Sequence, residues 1–273
     1  MSEQYVRLIK SKRVQICLFI ILSFIFMALF ADFISPYDPL ETDLSKSCKP
    51  PSGEHLLGTD ELGRDILSRI IYGSRLTLTI SFLATALGAV TGIFFGVVSG
   101  YFGGKVDMII QRITEILLAL PGFLLAIMFV AIMGSSLWTV IISVSISIIP
   151  SFIRMVRGLT LQVKELEYVL VAKQLGVNNV KIMFKHIIPN VSPAIIAQIT
   201  LNLGTTILFA SGLGFLGIGV PPPAPEWGTM LGTGRAYIFY APHLIISPGL
   251  SIFLLVLSFN IIGDRLGEII ASK

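Results

Sequence analysis

The segment 166–190 reads LEYVLVAKQLGVNNVKIMFKHIIPN and is the longest polar interruption between the apolar runs in its half of the chain. Its apolar residues recur at steps of three and four, which predicts helix with one apolar face. Gly176 is placed to end a first short helix, Asn178 to cap a second, and Pro189 to close the segment. A helix of this kind either docks in a groove of a soluble partner or lies on the bilayer surface. The apolar residues of this face are Leu166, Val169, Leu170, Val177, Val180, Phe184 and Ile187.

The composition indicates a membrane protein. Apolar residues make up 54% of the 273 residues and charged residues only 13%, which is about half the charged share of a typical soluble domain. Charge-free apolar runs long enough to cross a bilayer recur, so the sequence predicts an all-α polytopic membrane protein. The first run follows a basic start as in a signal peptide, but its 18 residues exceed a signal core and favour an uncleaved span. Six spans are expected, at residues 14–31, 76–99, about 113–133, 137–153, 191 to about 211, and within 244–262.

Two connecting segments have a distinct composition. Residues 32–75 are rich in acidic side chains and prolines, which predicts an irregular first half followed by a short helix over 66–71 with Asp65 at its start. Residues 212–228, GLGFLGIGVPPPAPEWG, hold too much glycine and proline for a helix. At membrane depth such backbone must be buried in protein or line a cavity.

The second span carries a repeated glycine. Gly88, Gly92, Gly96 and Gly100 are four residues apart and form one smooth stripe on a helix. A stripe of this kind lets another helix approach closely. The sequence predicts a packing face here without identifying the helix that lies against it.

The basic residues predict the orientation in the membrane. Of the 20 Lys and Arg residues, 14 lie at the N-terminus, in the loops 101–112 and 154–189, or in the charged tail 264–273. An even number of spans puts both ends of the chain on one side. The positive-inside rule therefore predicts that both termini and the segment 166–190 are cytoplasmic.

Motifs for catalysis or cofactor binding are absent from the sequence. It contains no Walker A pattern, and its three histidines, His55, His186 and His243, lie in separate loops without ligand spacing. No catalytic residue, metal site or cofactor is expected in this chain, and it is not expected to be an enzyme. The spans are nearly free of ionisable groups, which counts against the alternative of an ion-coupled secondary transporter. A scaffold or sensor that transports nothing is a further alternative.

Several segments resemble the permease subunits of binding-protein-dependent ABC importers of the dipeptide, oligopeptide and nickel type. They are HLLGTDELGRDILSRIIYGSR (55–75), GYFGGKVD (100–107), GFLGIGVPPPAPEWGTML (214–231) and FNIIGDRLGE (259–268). The segment 166–190 is similar to the family's loop, whose pattern is Glu-Ala-Ala, three residues, Gly, and a later Leu-Pro. Here these positions read Leu170, Val171, Ala172, then Gly176, then Ile188-Pro189. The short N-terminal region and the single acidic loop resemble the C-type subunit.

The resemblance implies a type I permease core with six transmembrane helices in the cytoplasmic membrane of a bacterium or archaeon. Residues 1–75 would form the N-terminal segment, first span and extracytoplasmic loop, and residues 76–273 the core with a coupling helix around 166–188. The implied partners are a second homologous permease, two ATP-binding subunits carrying ATP and Mg²⁺, an extracytoplasmic solute-binding protein and membrane lipid, with no nucleic acid. Nickel, a metal chelate and di- or oligopeptides are the candidate substrates, and LEYVLVAK resembles the nickel type more closely. The expected ATPase-coupling residues are Leu170, Ala172, Lys173, Leu175, Gly176 and Val180.

Overall fold

A computed structural model describes residues 11–271, which form α-helices and connecting loops without a β-strand. A π-helical turn spans Met183–Ile187, and 3₁₀ turns lie at Leu44–Lys46 and Arg235–Tyr237. The helices are α1 (Lys12–Leu29), α2 (Ala31–Ile34), α3 (Ile66–Phe102), α4 (Gly104–Leu118), α5 (Gly122–Met133), α6 (Leu137–Val163), α7 (Glu167–Gln174), α8 (Asn179–Ile182), α9 (Ile188–Phe215), α10 (Trp227–Gly234) and α11 (His243–Ala271).

Five helices are long and apolar enough to cross a bilayer: α1, α3, α6, the run through α8 and α9, and α11. A sixth span results if α4 and α5 are counted together, so the predicted fold class is confirmed. The third span, expected at about 113–133, is not one continuous helix, because α4 and α5 meet at an angle of 87°. Pro121 precedes α5 in an extended conformation, and proline has no N–H with which to continue α4.

The spans place the connecting segments on two sides of the bundle. We call the side that holds residues 164–187 and the start of α1 the segment side, and the side that holds residues 35–65 and 216–242 the loop side. On the segment side, Lys164 Nζ donates to the carbonyl oxygen of Gly100 at 2.9 Å. On the loop side, a ring nitrogen of His243 lies 3.3 Å from the carbonyl oxygen of Thr59.

Several helices extend beyond their predicted ends. The short helix at 66–71 forms the first turns of α3, and Asp65 accepts a hydrogen bond from Ser68 N at its start, as predicted. The expectation that the fourth span ends near residue 153 is wrong, since α6 passes through Pro150 to Val163. Transmembrane helices tolerate an internal proline because their packed neighbours hold the helix together. The charged tail also remains helical to Ala271.

Proline and glycine signals near α9 were partly misleading. Pro189 was expected to close the segment, but it occupies the first turn of α9, where a proline needs no N–H partner. The expectation that residues 212–228 contain no helix is wrong at both ends. Helix α9 runs to Phe215, and α10 begins at Trp227. Only the part between them is irregular.

The glycine stripe of α3 lies against α6. An ideal Cβ built on Gly92 would stand 2.3 Å from the Cβ of Phe152, so only a glycine allows this approach. Both helices advance four residues at each contact, which means that they run parallel. The facing residues are Ile148, Phe152, Val156 and Thr160, opposite Gly88, Gly92, Gly96 and Gly100 respectively.

Trp227 connects the loop side to the helix bundle. Its side chain is fully buried, its indole N–H donates to the carbonyl oxygen of Ile70 at 3.1 Å, and Phe24 contacts the ring edge-on. Three helices, α1, α3 and α10, therefore meet at one aromatic side chain. This contact fixes where the Pro-rich connection before α10 crosses the bundle.

Candidate functional site

The segment 166–190 contains two short helices, α7 and α8, separated by a sharp turn at Gly176. The φ angle of Gly176 is +76°, a left-handed conformation that glycine adopts readily. Gly176 N donates to the carbonyl oxygen of Lys173, and Val177 N donates to that of Ala172, each at 3.1 Å. This pair of bonds is the Schellman motif, which ends α7 by satisfying its last carbonyls.

Asn178 begins the second helix as the sequence predicts. Its side-chain oxygen accepts a hydrogen bond from Val180 N at 2.8 Å and so caps α8. The next residue, Asn179, accepts a hydrogen bond from the hydroxyl of Tyr101 at 2.8 Å. The start of α8 is therefore attached to the last turn of α3.

The prediction of a single apolar face for this segment is wrong, because the structure has two apolar sides. The inner side holds Val169, Ala172, Ile182, Met183 and Ile187, all buried. Apart from Ala172, these side chains belong to a cluster with residues from the ends of α3, α6 and α9. The segment lies across three helix ends, and an inner apolar side is what holds it there.

The outer side of the segment is also apolar but remains exposed. We call the residues Leu170, Val171, Leu175, Val180 and Phe184 the outer patch; each is at least 39% exposed. The side chains of Lys173, Lys181 and Lys185 are exposed beside it. An apolar centre with a charged margin is typical of a protein-binding surface.

The residues predicted to couple to an ATPase fall into different positions. Leu170, Leu175 and Val180 lie in the outer patch, Lys173 lies beside it, and Gly176 forms the turn between the helices. Ala172 is only 8% exposed and faces the inner side. It was expected to meet the partner directly, but its side chain is buried within this chain.

An ion pair near the segment was missed by the sequence analysis. Arg157 on α6 donates two hydrogen bonds to the carboxylate of Asp107 on α4, both at 2.6 Å. The hydroxyl of Ser99 donates to the same carboxylate at 2.5 Å, and Gln111 donates to Ser99 at 3.0 Å. The sequence did show a charged residue near the end of a span at both positions, Asp107 and Arg157. Their pairing was not evident because 50 residues separate them in the chain.

This ion pair holds α4 beside α3 and α6. Since α4 is bent by 87° from α5, its position depends on contacts at its own end. A bidentate Arg–carboxylate pair is among the stronger polar contacts in proteins. Helices α3, α4 and α6 are therefore joined close to the segment 166–190.

A second missed residue is Glu226, which precedes α10 and is only 1% exposed. Its carboxylate accepts hydrogen bonds from Gly228 N at 2.9 Å and from Thr229 N at 2.8 Å. Burial raises the pKa of this carboxyl group, although the backbone and Thr229 hydrogen bonds oppose the shift. The signal in the sequence was a single acidic residue in an otherwise uncharged stretch, directly before Trp227.

The acidic loop on the loop side is held together by buried charges. Asp60 accepts a hydrogen bond from Arg64 at 2.6 Å, and His55 Nδ1 lies 2.9 Å from the carboxylate of Asp65. These groups organise the loop itself. No group of three or more His, Cys, Asp or Glu side chains in residues 11–271 is arranged to hold a metal ion.

Two family models match this chain. One, described as binding-protein-dependent transport system inner membrane component, matches residues 92–273. The other, described as the N-terminal TM domain of oligopeptide transport permease C, matches residues 3–51. Together they cover most of the chain.

Known proteins of similar sequence and structure include several transport subunits. The dipeptide transport system permease protein DppC of Alkalihalophilus pseudofirmus is 44% identical over 271 residues, covering 99% of this chain and 89% of that protein. The glutathione transport system permease protein GsiD of Pectobacterium atrosepticum is 43% identical over 254 residues, covering 93% and 84%. A structure of the inward-facing MetNI methionine ABC transporter superposes with a TM-score of 0.62 at 20% identity, covering 73% of this chain and 95% of that chain. At this identity the superposition shows a shared fold.

Proposed function

The chain belongs to the binding-protein-dependent transport system inner membrane component family, as a C-type permease subunit of an ABC importer, and we propose that it carries short peptides. Members of this family work with a second permease, ATPase subunits and a substrate-binding protein. ATP hydrolysis belongs to the separate ATPase subunits, so this chain is a transport subunit and not an enzyme. This membership sets aside the secondary transporter and the scaffold.

Short peptides are the substrate class that the relatives favour. The relatives that are 44% and 43% identical are named for a dipeptide and for glutathione, which is a tripeptide. The expectation of nickel or a metal chelate, which came from LEYVLVAK, has no support from these relatives. The test is uptake by the complete importer in proteoliposomes with its binding protein, using labelled dipeptide, glutathione and nickel–histidine. Nickel uptake without peptide uptake would contradict the proposal.

We also propose that the segment side faces the cytoplasm. Its support is the excess of Lys and Arg on this side, which holds 11 of the 17 basic residues within the described range 11–271. Glu41 on the loop side and Lys181 on the segment side are both exposed and suit cysteine labelling after Cys48 is replaced by serine. An impermeant thiol reagent added to intact cells should label Glu41→Cys and not Lys181→Cys. The reverse pattern would overturn the orientation.

The outer patch is the proposed docking surface for an ATPase subunit. ATP and Mg²⁺ would bind to that subunit. One observation carries this proposal: the exposed outer patch and the buried inner side belong to the same two short helices. A partner that moves the outer patch therefore also moves the ends of α3, α6 and α9. Energy passes between two proteins only where their contact differs between states, and this segment supplies such a contact. The expected division of the chain at residues 75 and 76, which falls inside α3, stays a prediction.

A further inference from the structure

A groove of about 650 Å³ runs between α1 and α3 on the surface of the bundle. Its walls include Ile25 and Leu29 from α1 and Leu78, Phe82 and Leu83 from α3. Arg75 lies at the loop-side end of the groove. Because both helices can span a bilayer, these apolar walls lie at the depth of the lipid chains.

A second groove of about 630 Å³ lies on the other side of α1. It shares Ile25 and Leu29 with the first groove and is otherwise lined by residues such as Phe19, Leu22 and Ile34. Ile25 and Leu29 thus form a ridge with an apolar groove on each side. A molecule with two apolar chains and one polar head matches this shape, whereas a single helix would fill only one groove.

The loop-side end of the ridge carries two opposite charges. Arg75 Nη2 donates to Asp32 Oδ2 at 3.0 Å, and Arg75 Nε donates to the carbonyl oxygen of Ala28 at 2.9 Å. The hydroxyl of Tyr72 donates to Asp32 Oδ1 at 2.9 Å. Hydrogen bonds from Arg75 and Tyr72 lower the pKa of Asp32, so its carboxylate is ionised at neutral pH. The side chains of Arg75 and Asp32 are 42% and 60% exposed, which leaves both charges accessible.

These charges select among lipid headgroups. A purely anionic headgroup at Arg75 is repelled by Asp32, and a purely cationic group at Asp32 is repelled by Arg75. A headgroup with a phosphate and a primary ammonium satisfies both, since Arg binds phosphate well and a carboxylate accepts N–H bonds from an ammonium. We propose that the ridge binds an aminophospholipid, with its phosphate at Arg75, its ammonium at Asp32 and its two chains in the two grooves.

This proposal depends only on membrane insertion and not on the transported substrate. The test is native mass spectrometry of the complete importer after addition of phosphatidylethanolamine, phosphatidylcholine and phosphatidylglycerol with identical acyl chains. Phosphatidylcholine has a methylated ammonium without an N–H donor. We expect about tenfold higher occupancy for phosphatidylethanolamine than for phosphatidylcholine, the effect of one charge-assisted hydrogen bond.

Two variants separate the headgroup from the groove. Asp32→Asn should remove the preference for phosphatidylethanolamine, while Asp38→Asn, a matched change outside both grooves, should keep it. Thr79→Trp should fill the first groove and lower the occupancy of all three lipids, because Thr79 is exposed in its wall. Equal occupancy of the three lipids on the wild-type complex would overturn the proposal. Absence of bound lipid from the complete importer would also overturn it, because the second permease would then cover the groove.

Discussion

Gly92 on α3 and Phe152 on α6 approach so closely that a Cβ on the glycine would stand 2.3 Å from the Cβ of Phe152. The nearest backbone atom, the carbonyl oxygen of Ile149, would lie at 3.1 Å. The obstacle is therefore an atom attached directly to the backbone of α6, which cannot move aside as the tip of a long side chain can. The separation of α3 and α6 depends on the missing side chain at residue 92.

The first prediction is that Gly92→Ala destabilises the protein by about 1–3 kcal/mol through overpacking. Gly158→Ala on α6 is the matched control, because a Cβ there would meet no atom within 4 Å. The control should be neutral or slightly stabilising, since alanine favours helix over glycine. Thermal unfolding of the detergent-purified importer measures both variants. Equal melting temperatures would show that α3 and α6 can separate at little cost.

Local signals in the sequence predicted the turn between α7 and α8 and the number of spans. Gly176 and Asn178 act through bonds to residues only a few positions away, so the pattern contains the information. The bend between α4 and α5 was not predictable from apolar content, because hydropathy reports burial in lipid and not the direction of a helix. Pro121 marked the position of the bend but not its 87° angle.

Contacts between distant parts of the chain were beyond the sequence. The glycine stripe predicted a close neighbour, but several spans could have supplied it. The pairing of Asp107 with Arg157 depends on how α4 returns to α6, which no local pattern records. The sequence predicted one apolar face that combines residues of both sides, such as Val169 and Phe184, because the inner side and the outer patch share three- and four-residue spacing. A short helix with two apolar sides shows nearly the same spacing of apolar residues as a helix with one apolar side.

The second prediction concerns the left-handed backbone of Gly176. Gly176→Val should cost about 1–2 kcal/mol of local stability, because a side chain disfavours this conformation. No atom lies within 4 Å of an added Cβ, so steric contact within the chain is not the reason. Gly176→Asn is the control, since asparagine tolerates the left-handed conformation better. Uptake should fall strongly in the valine variant and much less in the asparagine variant. Similar losses in both would point to direct contact with the partner.

The third prediction concerns the ion pair of Asp107 and Arg157. Asp107→Arg and Arg157→Asp should each cost about 1–3 kcal/mol and lower uptake, since each brings like charges together at the junction of α4 and α6. The double exchange restores opposite charges and should recover part of the uptake. A double variant no better than the worse single variant would mean that the two side chains act independently. Arg112→Glu, an exposed change on the same helix as Asp107, serves as the control.

The fourth prediction concerns the pH dependence of Glu226. Burial raises its folded-state pKa above the ordinary value of 4.5, so folding favours the protonated form. Its contribution to stability is fully present below pH 4.5 and is lost as the pH rises through the raised pKa. Glu226→Gln keeps a side-chain acceptor without a charge, so the wild type should lose stability relative to it from pH 4.5 upward. Glu226→Ala should lose about 0.5–2 kcal/mol through the missing helix cap. Parallel melting curves for wild type and the glutamine variant at every pH would contradict the shift.

The fifth prediction tests the outer patch. Leu175 is 78% exposed at the end of α7, so Leu175→Asp places a charge on the surface without disturbing the inner side. We expect normal insertion and pairing with the second permease, with reduced retention of the ATPase subunits and loss of substrate-stimulated ATP hydrolysis. A buried apolar anchor at an interface contributes about 2 kcal/mol or more, equivalent to a loss of about 30-fold in affinity. Leu44→Asp on the loop side, where the leucine is 72% exposed, is the matched control and should retain the ATPases.

Ala172→Arg should behave differently from Leu175→Asp, because Ala172 is buried on the inner side. The arginine would displace α7 from the bundle, so this variant should lower the melting temperature of the permease as well as uptake, whereas Leu175→Asp should lower uptake without lowering that melting temperature. Co-purification of the ATPases, stimulated hydrolysis and thermal unfolding, measured on the same preparations, distinguish the two effects. If Leu175→Asp retains the ATPases and their stimulation at the level of Leu44→Asp, the outer patch is not the docking surface. In that case the ATPase must meet another part of the segment side.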